Sequence, residues 1–359
     1  MCTTVTPVNS VSTGADPSIV GPYLARALGD ARWSGAAVAL ISGGKSNLTY
    51  RVTSPAGDVV LRRPPLGNVL PTAHDMVREH TVLAALAGTD VPVPTPRHLC
   101  TDTAVLGAPF YVMDHVEGPV VREALPAGYA GTPAERTAIT HGLVDTLATL
   151  HAVDPAGVGL AGFGRPEGFL ARQVSRWTGQ WRATADAVTD PDAVAGLDSL
   201  AAALGASIPD SPSGAIVHGD FRIDNTVLDP REPGRIAAVL DWEMSTLGDP
   251  LADLGLLLVY WAEEDDPPER RAVSPVRSVT TLPGFGTRDD VVRRYAERSG
   301  RDLGALPWYV AFGSFKLAVV VAGIVARHRA GAMVGEGFAD VGAAFAPLVR
   351  LGHTTLDRA

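Results

Sequence analysis

Residues 218–225, His218-Gly219-Asp220-Phe221-Arg222-Ile223-Asp224-Asn225, and the later run Val239-Leu240-Asp241-Trp242-Glu243 decide how this chain is read. Phosphoryl transfer to a hydroxyl needs one carboxylate to orient the attacking oxygen, and an amide plus a second carboxylate to hold magnesium on the phosphates. Asp220, Asn225 and Asp241 supply those groups in that order. Each residue alone has an ordinary use: His218 capping a turn, Asp220 capping a helix, Asn225 sitting in a turn. As a set, with the apolar run Ala237-Ala238-Val239-Leu240 leading like a strand into Asp241, they point to chemistry at one site.

The spacing from Asp220 to Asn225 equals that of the protein-kinase catalytic loop H-R-D-L-x-x-x-N. With HGD in place of HRD and D-W-E in place of D-F-G, the chain resembles the aminoglycoside phosphotransferase and choline kinase-like branch of the kinase superfamily. Within it, VHGDFRIDNTVLDP from Val217 and VLDWEMSTLGDPLADLG from Val239 are similar to the phosphotransferase domains related to those fused to some acyl-CoA dehydrogenases. The likeness runs in order through ISGGKSNLTY at 41–50, VVLRRPP from Val59, MVREHTVL from Met76, FYVMDHVEG from Phe110, LATLHAVD from Leu147 and FKLAVVVAGIVARH from Phe315. It implies a two-lobed α+β fold of protein-kinase type, with a small N-terminal antiparallel-sheet lobe and a large helical C-terminal lobe. It also implies a phosphotransferase using Mg2+ and ATP or GTP, with a hydroxyl of a small molecule as acceptor. Asp220 would position and deprotonate that hydroxyl, Asn225 and Asp241 would hold the metal, and Arg222 would face the transferred phosphate. His218 would brace the loop.

Composition frames this reading. The chain has 359 residues, 46% hydrophobic and 19% charged, enough to bury one large or two moderate cores. A net charge of −9 gives no electrostatic case for nucleic acid or an anionic membrane surface as partner. Two cysteines, Cys2 and Cys100, make neither a disulfide framework nor a metal quartet and suit a reducing cytoplasm. Residues 1–16 lack the basic start and apolar core of a secretory signal and read as a loose tail. Tyr309 to Ala326 is apolar apart from Lys316, Ser314 and glycines. A lysine near its centre would cost roughly 2.5–3.5 kcal/mol in a bilayer, so a buried helix of the larger lobe is expected.

Character changes near residue 117, which sets a nucleotide-binding lobe at 17–116 and a catalytic, acceptor-binding lobe at 117–359. Strand-like runs precede the change, at Ala36 to Ile41, Leu48 to Val52, Val59 to Arg62 and Pro109 to Met113, with one helical stretch from about Ala73 to Ala87. Helical periodicity follows it, as in Leu143, Leu147 and Leu150, and in Leu170, Val174, Trp177 and Trp181. The proline-rich breaks Val91 to Pro96 and Asp265 to Pro268 read as loops.

In the small lobe, Gly43 and Gly44 lie between two strand-like runs, with Ser46 and Asn47 as donors close by. Such a pair is by itself a hairpin turn; its place in the order of resembling segments implies a phosphate loop. By the same order, Arg62 stands where kinases carry a lysine on the α and β phosphates, and Glu79 where a helix carboxylate pairs with it. Arginine keeps the charge but brings a longer, planar fork of donors. Alternation along the strand lets only one of Arg62 and Arg63 face the site. Met113 to Val116 resembles the segment whose main chain reads the adenine edge, through the carbonyl of Asp114 and the amide of Val116.

Structural readings suffice elsewhere. Asp249 reads as a helix N-cap with Pro250 at the first helical position and Asp253 in the first turn near the positive dipole end. Thr287 to Asp290 resembles a capping box, and Arg172, Arg176 and Arg182 fall off the apolar stripe of their helix and are expected in solvent. For the acceptor, the acidic run Glu263-Glu264-Asp265-Asp266 would suit a polycationic aminoglycoside. Arg288, Arg293, Arg294, Arg298, Arg327 and Arg329 would suit a hydroxyacyl thioester of coenzyme A, to which the resemblance inclines. A nucleotide-binding pseudokinase acting as an interaction module is the alternative of another class. Arg62 in place of lysine favours it, and intact Asp220, Asn225 and Asp241 oppose it.

Overall fold

Alternating apolar residues in the first third of the chain build one antiparallel sheet. The computed structural model describes residues 14–42, 47–66, 75–211, 214–273, 278–330 and 341–358. The chain divides into two compact units, Met1–Ala87 with Pro94–His115, and Gly88–Val93 with Val116–Ala359.

In the first unit, α1 (Pro17–Ala27) precedes β1 (Ala37–Ser42), β2 (Leu48–Ser54) and β3 (Gly57–Arg63). After α2 (Met76–Leu86) come β4 (Pro96–Cys100), the short α3 (Thr103–Leu106) and β5 (Phe110–Asp114). The five strands pair in the order β1-β2-β3-β5-β4. Register places Tyr50 opposite Leu61, Val52 opposite Val59 and Leu61 opposite Val112. Because side chains alternate across a strand, Tyr50, Val52, Val59, Leu61, Phe110 and Val112 share one face, which is buried together with Val20 and Leu24 of α1. Burying side chains of this size stabilises by about 1.5–3 kcal/mol each.

Two elements here run against the sequence expectation. The one helical stretch expected before residue 117 is about Ala73 to Ala87, yet α1 also forms, because Asp16 caps it, Pro17 occupies its first turn, and Val20 and Leu24 are buried. Of the tail expected over 1–16, residues 1–13 lie outside the described residues, whereas Ala15 is fully buried and Asp16 accepts from the Ser18 amide at 2.8 Å. The other element is β4, which starts on Pro96 at the sheet edge, where a missing N–H costs no ladder bond.

The second unit contains α4 (Pro133–Ala152), α5 (Phe169–Arg182), α6 (Pro191–Ala206), α7 (Leu251–Tyr260), α8 (Pro268–Arg271), α9 (Arg288–Ser299), α10 (Leu306–Arg329) and α11 (Phe345–Leu356). Four short strands, β6 (Ala215–Val217), β7 (Thr226–Leu228), β8 (Ile236–Val239) and β9 (Thr246–Gly248), lie between α6 and α7. Leu143, Leu147 and Leu150 of α4 are fully buried and the α5 stripe Leu170, Val174, Trp177 and Trp181 is buried, while Arg172, Arg176 and Arg182 are exposed. The Thr287/Asp290 capping box forms as expected. The break expected to end at Pro268 instead opens α8, with that proline in its first turn. Apolar α10 is a core helix, packed along α7 and α11.

Close approach of α7 and α10 depends on missing side chains. A Cβ at Gly255 would stand 2.5 Å from the Tyr309 carbonyl, and one at Gly313 would stand 3.2 Å from the Leu256 Cα. Gly255→Ala should therefore destabilise the protein by about 1–3 kcal/mol through overpacking, although alanine is the better helix former by about 1 kcal/mol. Gly179→Ala, in α5 with nothing within 4 Å of the added carbon, should stabilise by about 0.5–1 kcal/mol. Denaturant midpoints of the two variants test this; shifts of the same sign would contradict it.

Candidate active site

Two small two-stranded sheets join residues that are distant in sequence. β6 pairs with β9 and β7 with β8, so the loop 218–225 links one pair to the other and the turn after β8 returns to the first. Thr226 lies opposite Val239, and the next residues along meet in a bond from the Leu240 amide to the Asn225 carbonyl at 2.8 Å. Asp241 follows directly. The strands are held by buried Ile216, Val217, Val227, Leu228, Ala238 and Val239.

The catalytic-type loop is fixed by its backbone. The amides of His218 and Gly219 each donate to the Asp253 carboxylate at 2.7 Å. His218 donates from Nε2 to the Leu240 carbonyl at 2.8 Å and accepts the Asp220 amide on Nδ1 at 3.2 Å, a pattern that requires the Nε2–H tautomer. Gly219 has φ of 85°, and a Cβ there would meet the Met244 carbonyl oxygen at 2.7 Å, which explains glycine as the second letter of HGD. Asn225 donates from Nδ2 to the Asp220 carbonyl at 2.8 Å and to Asp220 Oδ2 at 3.0 Å.

Asp253, expected only as a helix-dipole residue, is the hub beneath this loop. It is fully buried and also accepts from His151 Nε2 at 3.2 Å, whose Nδ1 takes the Tyr295 hydroxyl at 2.8 Å. Burial opposes its charge, but the His151 bond and the His218 contacts outweigh that and hold its carboxyl below the ordinary range. Burial pushes the His151 imidazole below its ordinary value, consistent with a neutral ring donating one way and accepting the other. Helix α7 starts at Leu251, one residue later than expected; Asp249 still accepts the Leu251 amide at 2.9 Å and takes the Tyr309 hydroxyl at 2.7 Å.

Arg222 lies 3.6 Å from Asp220 and 3.4 Å from Asp224, with its guanidinium 4.7 Å from the centre of the Tyr260 ring. Burial works against its charge, but Tyr260, Asp220, Asp224 and Asp241 more than offset that and raise its pKa. Asp224 is pushed above the usual carboxylate range by burial. Sequence reading passed over Asp224 and Tyr260; the place of Asp224 inside the loop was the available signal, whereas Tyr260 has none.

Asp241 is one of two described non-glycine residues with positive φ, at 66°. That left-handed conformation costs energy and persists where surroundings enforce it. Here Trp242 is buried, donates from Nε1 to the Val239 carbonyl at 3.0 Å and packs, tilted, against His218 with ring centres 4.7 Å apart. The donor set suits a hard cation: Asp241 offers carboxylate oxygen, and Asn225, whose nitrogen serves Asp220, offers its amide oxygen. No cluster of three or more His, Cys, Asp or Glu fit for a metal occurs among the described residues.

In the first unit, Arg62 and Glu79 form a buried ion pair at 2.9 Å. Glu79 also accepts from Asn47 Nδ2 at 2.6 Å and from the Tyr111 hydroxyl at 2.9 Å, Tyr111 being the cross-strand neighbour of Arg62. Arg63 faces the other way and donates to the Leu106 carbonyl at 2.8 Å and to that of Gly14. Gly43, Gly44 and Ser46 lie outside the described residues. Asp114 ends β5, with its carboxylate on Arg97 at 2.6 and 2.9 Å, and Val116 is half-buried just beyond.

The charged acceptor candidates are largely committed elsewhere. Arg288 bonds Glu263 at 3.0 Å and the buried Asp266 at 2.5 Å, so half of the acidic run is a structural tie to α9. Arg293 pairs with Asp290, and Arg294 and Arg298 pair with Asp145. Glu264, Asp265, Arg327 and Arg329 are exposed.

Residues 37–275 match the family model of APH, the phosphotransferase enzyme family. The chain is 37% identical over 291 residues to acyl-CoA dehydrogenase family member 11 of Rattus norvegicus, covering 80% of this chain and 36% of that protein. It thus spans about a third of the length of such curated relatives. A solved structure from Ralstonia eutropha, named a "putative aminoglycoside phosphotransferase", is 32% identical, with a TM-score of 0.77 over 96% of this chain and 99% of that one. The GDP and kanamycin complex of APH(2″)-IIIa shares the fold at a TM-score of 0.62 and 17% identity, over 89% of this chain and 93% of that one. The chain belongs to the phosphotransferase enzyme family and has its protein-kinase-like fold.

Proposed function

We propose that this protein is a small-molecule kinase transferring the γ-phosphate of ATP or GTP to a hydroxyl. The observation that carries the reading is the bond from Asn225 Nδ2 to Asp220 Oδ2 at 3.0 Å, in a loop whose backbone is pinned on both sides. It ties a base-type carboxylate to a metal-type amide, with Asp241 entering beside them from β8.

In this mechanism Asp220 accepts a hydrogen bond from the acceptor hydroxyl, aims its oxygen at the γ-phosphorus, and takes the proton as the new O–P bond forms. Asn225 and Asp241 would hold Mg2+, which when bound would neutralise phosphate charge. Arg222 spreads the charge that develops on the transferred group. Arg62, oriented by Glu79, takes the α and β phosphates. Gly43, Gly44 and Ser46 line the triphosphate; Asn47 contributes its backbone N–H, since its side chain serves Glu79. The Asp114 carbonyl and Val116 amide read the base.

For the acceptor we favour a hydroxyacyl thioester of coenzyme A or a kindred hydroxylated metabolite. Support comes from the relatives named for acyl-CoA dehydrogenases. Aminoglycosides are the second reading, favoured by the name of the Ralstonia eutropha structure. The engagement of Glu263 and Asp266 by Arg288 weakens the case for an acidic aminoglycoside pocket at that run.

Asp220→Asn should lower turnover by about 10²- to 10⁴-fold while leaving nucleotide affinity within a few-fold, because proton transfer is lost and the phosphate contacts remain. Steady-state ADP release and nucleotide titration measure the two quantities; full activity would reject the assignment. Asp241→Ala should remove the magnesium dependence of nucleotide binding in calorimetry with and without the metal. An unchanged dependence would take Asp241 out of the metal site. On a panel of hydroxyacyl thioesters and kanamycin-type aminoglycosides, only the thioesters should stimulate ADP release, and that stimulation should weaken as salt rises. Turnover of the aminoglycosides alone would overturn the choice of acceptor.

A further inference from the structure

Lys316 is a buried cation in an otherwise apolar helix. It sits near the middle of α10 and is 9% exposed. Its Nζ donates to the Gly219 carbonyl at 2.5 Å and lies 5.3 Å from the centre of the Trp177 ring of α5. Burial pushes its pKa below the ordinary lysine value, and the carboxylates of Asp220 and Asp253 oppose that fall. Replacing a buried charge by an apolar side chain of similar volume is often neutral or stabilising, so packing alone does not explain a lysine here.

Its place among the anchors of the loop does. The His218 and Gly219 amides go to Asp253, the Asp220 amide to His218 and the Asp220 carbonyl to Asn225. The Gly219 carbonyl goes to Lys316. The peptide plane joining Gly219 to Asp220 is therefore held at its N–H by His218 and at its C=O by Lys316. A neutral donor would hold that carbonyl, but Asp253 and Asp220 flank the same short stretch. Both carboxylates favour a charged ammonium at that point over a neutral donor.

We propose that Lys316 is a positioning residue for phosphoryl transfer: its ammonium fixes the Gly219–Asp220 peptide, aims the Asp220 carboxylate, and balances the charge of Asp220 and Asp253. The catalytic part of this inference rests on the kinase reading given above; the positioning part does not.

The test compares wild type with Lys316→Met, which keeps length without charge or donor, and Lys316→Gln, which keeps a donor. Lys316→Met should melt no lower than wild type, while amide hydrogen exchange in the peptide covering residues 218–225 speeds up about tenfold and the rest of the chain is unchanged. Its kcat should fall about 10²-fold, the order of loss from misplacing a reacting group by ~1 Å, with nucleotide Kd within a few-fold. Lys316→Gln should recover part of the exchange protection. Unchanged exchange in that peptide with kcat within about threefold would overturn the proposal. Faster exchange throughout with a lower melting temperature would overturn it too, since Lys316 would then be only a core residue. If wild type phosphorylates no acceptor, the kinase reading fails, and the exchange measurement still decides the role of Lys316.

Discussion

One buried carboxylate sets the geometry of the whole site. Asp253 receives the backbone amides of His218 and Gly219, each at 2.7 Å, and a third hydrogen bond from His151. Each buried amide left unmatched would cost about 1–3 kcal/mol, and an unpaired buried charge more. The loop therefore has one low-energy path past Asp253, and Gly219 alone tolerates the left-handed turn it requires. Everything chemical in the second unit hangs from that path. Asp220 emerges at its end, and Asn225 closes back onto Asp220. Lys316 restrains the remaining carbonyl.

The second constraint is strand register. β7 and β8 pair so that Asn225 and Leu240 are hydrogen-bonded neighbours, which delivers Asp241 beside the loop although it lies sixteen residues after Asn225. The left-handed backbone of Asp241 is held by the packing that follows it. Trp242 is wedged between His218 and the Val239 carbonyl, so the tryptophan of D-W-E is structural and the aspartate before it is aimed. Strain of this kind gathers where a side chain must be presented in a fixed direction.

Much of this was legible because chemistry and alternation leave local marks. The HGD loop and D-W-E carry residue types that oxygen coordination and proton transfer demand. The strands of the first unit carry period-two apolar runs, and the order of segments pairs Arg62 with Glu79, which meet at 2.9 Å. What stayed hidden depends on partners far along the chain. Lys316 reads as an oddity in an apolar helix until Gly219, 97 residues away, supplies its reason. The arginines of α9 read as a surface for anions until Asp145, Glu263 and Asp266 take them up. No helix is expected before about Ala73, yet α1 forms, secured by its cap and by the burial of Val20 and Leu24.

The central claim is that the second unit presents Asp220 to a hydroxyl and moves a phosphoryl group onto it. The most direct measurement follows the γ-phosphate itself, using isotopically labelled ATP with magnesium and a hydroxyacyl thioester, and reading the label on the acceptor by mass spectrometry. The account requires label on the acceptor hydroxyl in proportion to ADP formed. Label found only in inorganic phosphate, at a rate indifferent to every hydroxylated acceptor supplied, would contradict it.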